Sequence, residues 1–74
     1  PVADLIYLNA ERARLSKEID KLSKDIARID QKLANTEFVS HAPAEIIEEQ
    51  RTRRAEHEAI LTKLAAALAL LQAA

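Results

Sequence analysis

Five basic residues, Arg14, Lys17, Lys21, Lys24 and Arg28, recur at intervals of three and four. On a helix that spacing stacks them along one stripe. Such a stripe suits a phosphate backbone, where Lys and Arg neutralise successive charges without reading bases. The competing explanation is that the outer positions of any coiled coil carry Lys, Arg and Glu simply as a hydrated face. A second element follows at Phe38, Val39 and His41, with Lys32 close by in sequence. An aromatic beside basic groups can stack on an exposed base. The alternative for Phe38 is a hydrophobic plug folded over Leu33 and Ile46, with Val39 and His41 left exposed.

Other chemistry finds no support. No nucleophile and base fall at a recognisable spacing, so no catalytic residue is assigned. His41 and His57 lie about four turns apart along the chain, and there is no Cys. Without clustered carboxylates beside them no metal site is assigned, and no cofactor is expected for this chain.

The elements that must position the stripe follow from the apolar spacing. Leu8, Leu15, Ile19, Leu22, Ile26, Ile29 and Leu33 alternate by four and three, with Arg12 in the one gap, which is a heptad seam. Ile46, Gln50, Arg53, His57, Ile60, Leu64, Ala67 and Leu71 repeat the spacing. Paired antiparallel, the two rows centre a fold-back between Val39 and Ser40, inside a stretch marked as a turn by Asn35, Ser40 and Pro43. The fold class is therefore all-α, an antiparallel two-helix coiled-coil hairpin. Expected boundaries are a lead-in over 1–9, a helix over 10–34 starting after an Asn9 N-cap, a turn over 35–42 and a helix over 43–72. Asn35 is the expected C-terminal cap in the left-handed conformation, and Pro43 the first position of the second helix. Ile47, Leu61 and Leu68 widen the apolar face of the second helix. Lys32 with Glu49 and Glu18 with Lys63 are expected as flanking ion pairs. Gln50, Arg53 and His57, with Arg54 alongside, make one part of the seam polar. Long Arg stems can cover apolar surface there, or the region can flex when the tip binds.

Seventy-four residues with 11 basic and 12 acidic side chains carry a formal charge of −1, so any partner must read a local patch. That patch is the first arm, where seven basic residues stand against five acidic ones between Ala10 and Ala34. Absence of Cys fits a cytoplasmic location, and no apolar run reaches the ~20 residues a membrane span needs. With no Gly and two aromatics, Tyr7 and Phe38, a large mixed core is excluded. An appendage of a larger protein is the natural setting, and the opening Pro1-Val2-Ala3 fits removal of an initiator Met before Pro and an excised piece equally well.

Several residues together resemble a known family. Ala10-Glu11-Arg12-Ala13-Arg14-Leu15, a Lys-rich heptad helix, Lys32-Leu33-Ala34-Asn35, then Phe38-Val39, Ala42-Pro43 and Glu45-Ile46-Ile47-Glu48 closely resemble the C-terminal coiled-coil arm of valyl-tRNA synthetase. The similarity runs from Leu5 onward. It implies a non-catalytic arm that packs on the outer corner of tRNA, where the D and T loops meet. Arg14, Lys17, Lys21, Lys24, Arg28 and the turn from Phe38 to His41 would make the contacts. The resemblance also implies a parent ligase that charges tRNA with valine using ATP in other domains. Two positions depart from the pattern: His41 stands where Lys or Arg is usual, and Arg54 where an apolar residue is usual. The first weakens the expected tip contact at neutral pH. The second implies a looser mid-arm, or compensating contacts in the full protein.

Three readings follow. The first is the tRNA-binding arm, partnered by tRNA and by the rest of the synthetase. The second is the C-terminal hairpin of a ribosome-associated ATPase of the ABC-F type, which lacks the tip match. The third is a structural module that pairs hairpins into a homodimer through the wide apolar face of the second helix, with Leu61, Leu68 and Leu71 exposed by excision.

Overall fold

The computed structural model describes residues 2–73 and consists of three helices: α1, Val2–Ala34; α2, Thr36–His41; and α3, Ala44–Ala73. Helices α1 and α3 pack antiparallel into a rod 58 Å long and 15 Å across, and α2 forms its tip. The inward face of α1 is Leu8, Arg12, Leu15, Ile19, Leu22, Ile26, Ile29 and Leu33, all buried or half-buried, as the heptad spacing predicts. Among the described residues only Leu15, Ile29, Ile47 and Gln50 are buried. Two helices enclose little volume, so the hairpin rests on a single thin seam.

Three expectations are corrected. First, α1 starts at Val2, so Asn9 lies within a helix and caps nothing, and residues 2–9 are not an extended lead-in. Leu5, Ile6, Tyr7 and Leu8 have no helix breaker among them, and helical propagation needs only one further hydrogen bond per residue. Pro1 and Ala74, the outermost residues of the expected segments, lie outside the described residues.

Second, the tip is helical. Asn35 has φ −78° and ψ 110°, extended and not left-handed, and it caps α2 instead of terminating α1. Its side-chain oxygen accepts from the backbone N–H of Glu37 at 3.0 Å and of Phe38 at 3.3 Å. An Asn in this role satisfies donors that the start of a helix otherwise leaves orphaned. Ala42 then turns extended, as the residue before a proline must, and donates to the carbonyl of Phe38 at 2.8 Å. The Pro43 carbonyl accepts from Ile46 and Ile47, and α3 begins at Ala44, one residue later than expected, so Pro43 precedes the first helical position.

Third, α3 is rotated and shifted relative to the expected register. Ile47, Arg54, Leu61 and Leu68 face α1, together with Gln50, His57, Leu64, Ala67 and Leu71, whereas Ile46, Arg53 and Ile60 are exposed. Cross-arm contacts join Asp30 to Arg54, Asp25 to His57 and Arg12 to Leu71, which centres the fold-back at residues 41–42. The six-residue tip helix accounts for the later centre, and the rotation places the bulky Leu68 and Leu61 against α1. Among the described residues no ion pair joins Lys32 to Glu49 or Glu18 to Lys63, and Asp25 meets Arg28 and His57.

Leu61, Leu68 and Leu71 are thus half-covered inside the hairpin. The surface left apolar lies mainly at the base, at Leu5, Ile6, Tyr7 and Leu70.

Candidate nucleic-acid interface

Helix α1 holds the basic stripe on a straight, continuous scaffold, and all five of its cations are exposed. They fall into two kinds. Arg14 donates from Nε to the Glu11 carboxylate at 2.9 Å, with Nη2 on the same oxygen, and Arg28 donates from Nη1 to Asp25 at 3.1 Å. The Arg14 hydrogen bonds hold the Glu11 carboxyl below its usual range and raise the guanidinium in turn. Lys17, Lys21 and Lys24 make no ion pair among the described residues. Glu18 and Asp20 border these three lysines on the same shallow surface. A polyanion approaching this face need not first break a protein ion pair at these lysines.

The tip presents mixed chemistry. Phe38 is half-buried, while Val39 and His41 are exposed. The His41 Nδ1–H donates to the Glu37 carbonyl at 2.8 Å, which fixes the ring and leaves Nε2 to solvent. Stripe and tip lie along the same rod but do not converge into one pocket, so the arrangement is an extended surface and not a catalytic cleft. No group of three or more His, Cys, Asp or Glu suited to a metal ion occurs among the described residues, and no described helix is long and apolar enough to cross a membrane.

The middle of the rod differs from the expectation of a loosened arm. Arg54 Nε donates to Asp30 Oδ1 at 2.5 Å across the hairpin, and its Nη1 donates to Glu58 at 2.6 Å. Those hydrogen bonds hold the Asp30 carboxyl below its usual range. At the base, Arg12 donates from Nε to the Leu71 carbonyl at 3.2 Å and from Nη1 to Asn9 Oδ1 at 3.1 Å. Both unexpected arginines therefore tie the arms together. On the opposite flank a polar groove opens between α1 and α3, bordered by Asp25, Arg28 and Lys32 on one side and by Gln50, Arg53 and His57 on the other. Sequence reasoning put Arg53 and His57 in the seam and missed this groove, because a one-residue rotation of α3 decides which side chains border it.

Residues 8–72 match the family described as the valyl-tRNA synthetase tRNA-binding arm. The valine–tRNA ligase of Mesorhizobium japonicum is 50% identical over 68 residues, covering 92% of this chain and 7% of the relative. That of Lacticaseibacillus casei is 46% identical over 74 residues, covering 100% and 8%. A third, from Cereibacter sphaeroides, is 45% identical over 71 residues, covering 96% and 7%. The chain thus spans less than a tenth of the length of these curated relatives. No solved structure matches it with comparable significance.

Proposed function

The chain belongs to the valyl-tRNA synthetase tRNA-binding arm family, and from that premise we propose that it is a non-catalytic rod that holds tRNA by its outer corner for a parent ligase. The parent charges tRNA with valine in the cytoplasm, and ATP binds in its other domains. The observation that carries the reading is the row of unpaired lysines, Lys17, Lys21 and Lys24, along the exposed side of α1. Each lysine set against a phosphate releases condensed counterions, which favours binding without reference to base sequence. Arg14 and Arg28 extend the stripe, and Phe38, Val39 and His41 meet the exposed loops at the tip. Amino-acid choice and catalysis then reside elsewhere, and the arm raises affinity and fixes orientation.

The test is a titration of labelled tRNA with this chain across a salt series, beside a variant with Lys17, Lys21 and Lys24 changed to Gln. Binding that weakens with salt, with a shallower slope in the variant, supports the arm. Equal binding by both proteins at low salt makes the stripe only a hydrated face. The oligomerisation reading has less of its surface to work with, since Leu61, Leu68 and Leu71 are half-covered by α1, and the family match gives it no support. The ribosome-associated ATPase reading has no support in the family match.

A further inference from the structure

We propose that the groove between α1 and α3 seats one phosphate group of the bound nucleic acid, so that the interface crosses from α1 onto α3. The inference rests on the tRNA-binding reading and adds a site to it. Three cations border the groove from both arms: Arg28 and Lys32 on α1, and Arg53 on α3. Lys32 has no carboxylate partner among the described residues, and Arg53 has only Glu49, at a loose 3.6 Å. Asp25 is also present, but its carboxylate is engaged by Arg28 at 3.1 Å. The cations therefore outnumber the carboxylates of Asp25 and Glu49.

Ile29 gives the groove an apolar floor, and the charged and polar groups of Arg28, Lys32, Gln50, Arg53 and His57 stand around it. Gln50 is 92% buried by the complement of its 8% exposure, and its side-chain oxygen has no hydrogen-bond donor. A phosphate, whose oxygens only accept, does not satisfy that oxygen, so the donors available to an anion here are those of Arg28, Lys32 and Arg53. Beside Gln50, His57 donates from Nδ1 to the Arg53 carbonyl at 2.8 Å and keeps Nε2 3.9 Å from Asp25 Oδ2. Arg28 belongs both to the outer stripe and to the groove, so a strand following Lys17, Lys21 and Lys24 is led toward this opening. A tetrahedral anion with several acceptor oxygens matches donors arriving from two helices, and the strong, planar donor set of Arg53 suits it.

The test uses the isotope-labelled chain, with tRNA and inorganic phosphate as separate ligands at matched ionic strength. Binding at the groove moves the Gln50 carboxamide and Arg53 Nε–H signals with tRNA, and moves the same signals less with phosphate alone. Arg53→Gln and Lys32→Gln each weaken tRNA binding several-fold, with a slope of log K against log salt lower by about 0.7 to 0.9. Lys63→Gln removes the same charge away from the groove and serves as the reference, with helicity checked for all three. If Arg53→Gln and Lys32→Gln behave like Lys63→Gln while the stripe variant still weakens binding, the groove proposal falls and the tRNA-binding arm stands. If the unaltered chain ignores tRNA at low salt, the arm reading fails. Phosphate-induced shifts at Gln50 and Arg53 then support an anion seat for another source, and silent signals overturn it.

Discussion

Arg54 on α3 reaches Asp30 on α1 with Nε on Oδ1 at 2.5 Å and Nη2 on Oδ2 at 3.3 Å, a two-point contact across the hairpin. The same guanidinium holds Glu58 along α3, so one side chain fixes both the register and the rotation of the second arm. An apolar residue there would add seam packing but could not distinguish Asp30 from its neighbours.

This contact predicts an acid limb in stability. The Arg54 hydrogen bond lowers the Asp30 carboxyl from its ordinary 3.8. A lowered folded-state value means that the stabilisation is complete above the ordinary value and is lost as pH falls through the folded one. Thermal melts by circular dichroism should therefore show a falling midpoint below about pH 4. Asp30→Asn should lower the midpoint at pH 7 and flatten that acid limb. An unchanged limb in the variant would assign the acid sensitivity to other carboxylates, such as Glu11 within α1.

The rotation of α3 gives a sharper contrast between neighbours. Ile47 is 8% exposed and Ile46 39%, although both are isoleucines in the first turns of the same helix. Ile47→Ala should cost about 2–4 kcal/mol, and Ile46→Ala less than about 1 kcal/mol, as measured by urea denaturation. The register drawn from heptad spacing alone gives the reverse order, so one pair of variants decides between them.

That contrast also shows where the sequence was informative. The row from Leu8 to Leu33 is spaced so strictly that only one face of α1 can be the seam. In the second arm Ile46-Ile47 and Ile60-Leu61 are adjacent apolar pairs, and either member satisfies the period. What breaks the tie is tertiary: Arg54 finding Asp30, and Leu68 offering more volume than Ala67. Asn35 was ambiguous for a related reason, because Asn suits both ends of a helix. The choice depended on whether the six residues after it could form a turn of helix. The stripe was legible because it needs one helix only, whereas the groove at Arg53 and Lys32 needs two helices in the correct relative rotation.

The tip makes its own prediction. Because the Asn35 oxygen serves two backbone donors in an extended conformation, Asn35→Asp should preserve the cap, and Asn35→Ala should cost about 1 kcal/mol. Asn35→Gly separates the two geometries. At a left-handed C-terminal cap glycine would stabilise, whereas here it loses the side-chain acceptor and should be slightly destabilising. Melting the three variants side by side reads the difference, and a stabilised Gly variant would refute the N-cap assignment.

Within the basic stripe, the arginines and lysines should not contribute alike. Arg14 and Arg28 are held by Glu11 and Asp25 one turn earlier, so a phosphate that recruits them must share or displace a carboxylate already in place. Lys21 has no such partner and lies between Lys17 and Lys24, where removal of its charge leaves a gap in the middle of the row. Lys21→Gln should therefore weaken tRNA binding more than Arg14→Gln does, and it should lower the salt slope by about 0.7 to 0.9. Glu11→Gln provides the converse: it frees Arg14 and removes a repelling charge, so binding should tighten at low salt and the gain should fade as salt screens it. Equal losses for Lys21→Gln and Arg14→Gln, with no gain from Glu11→Gln, would mean that the local ion pairs do not limit the stripe and that the net charge of α1 alone governs attraction.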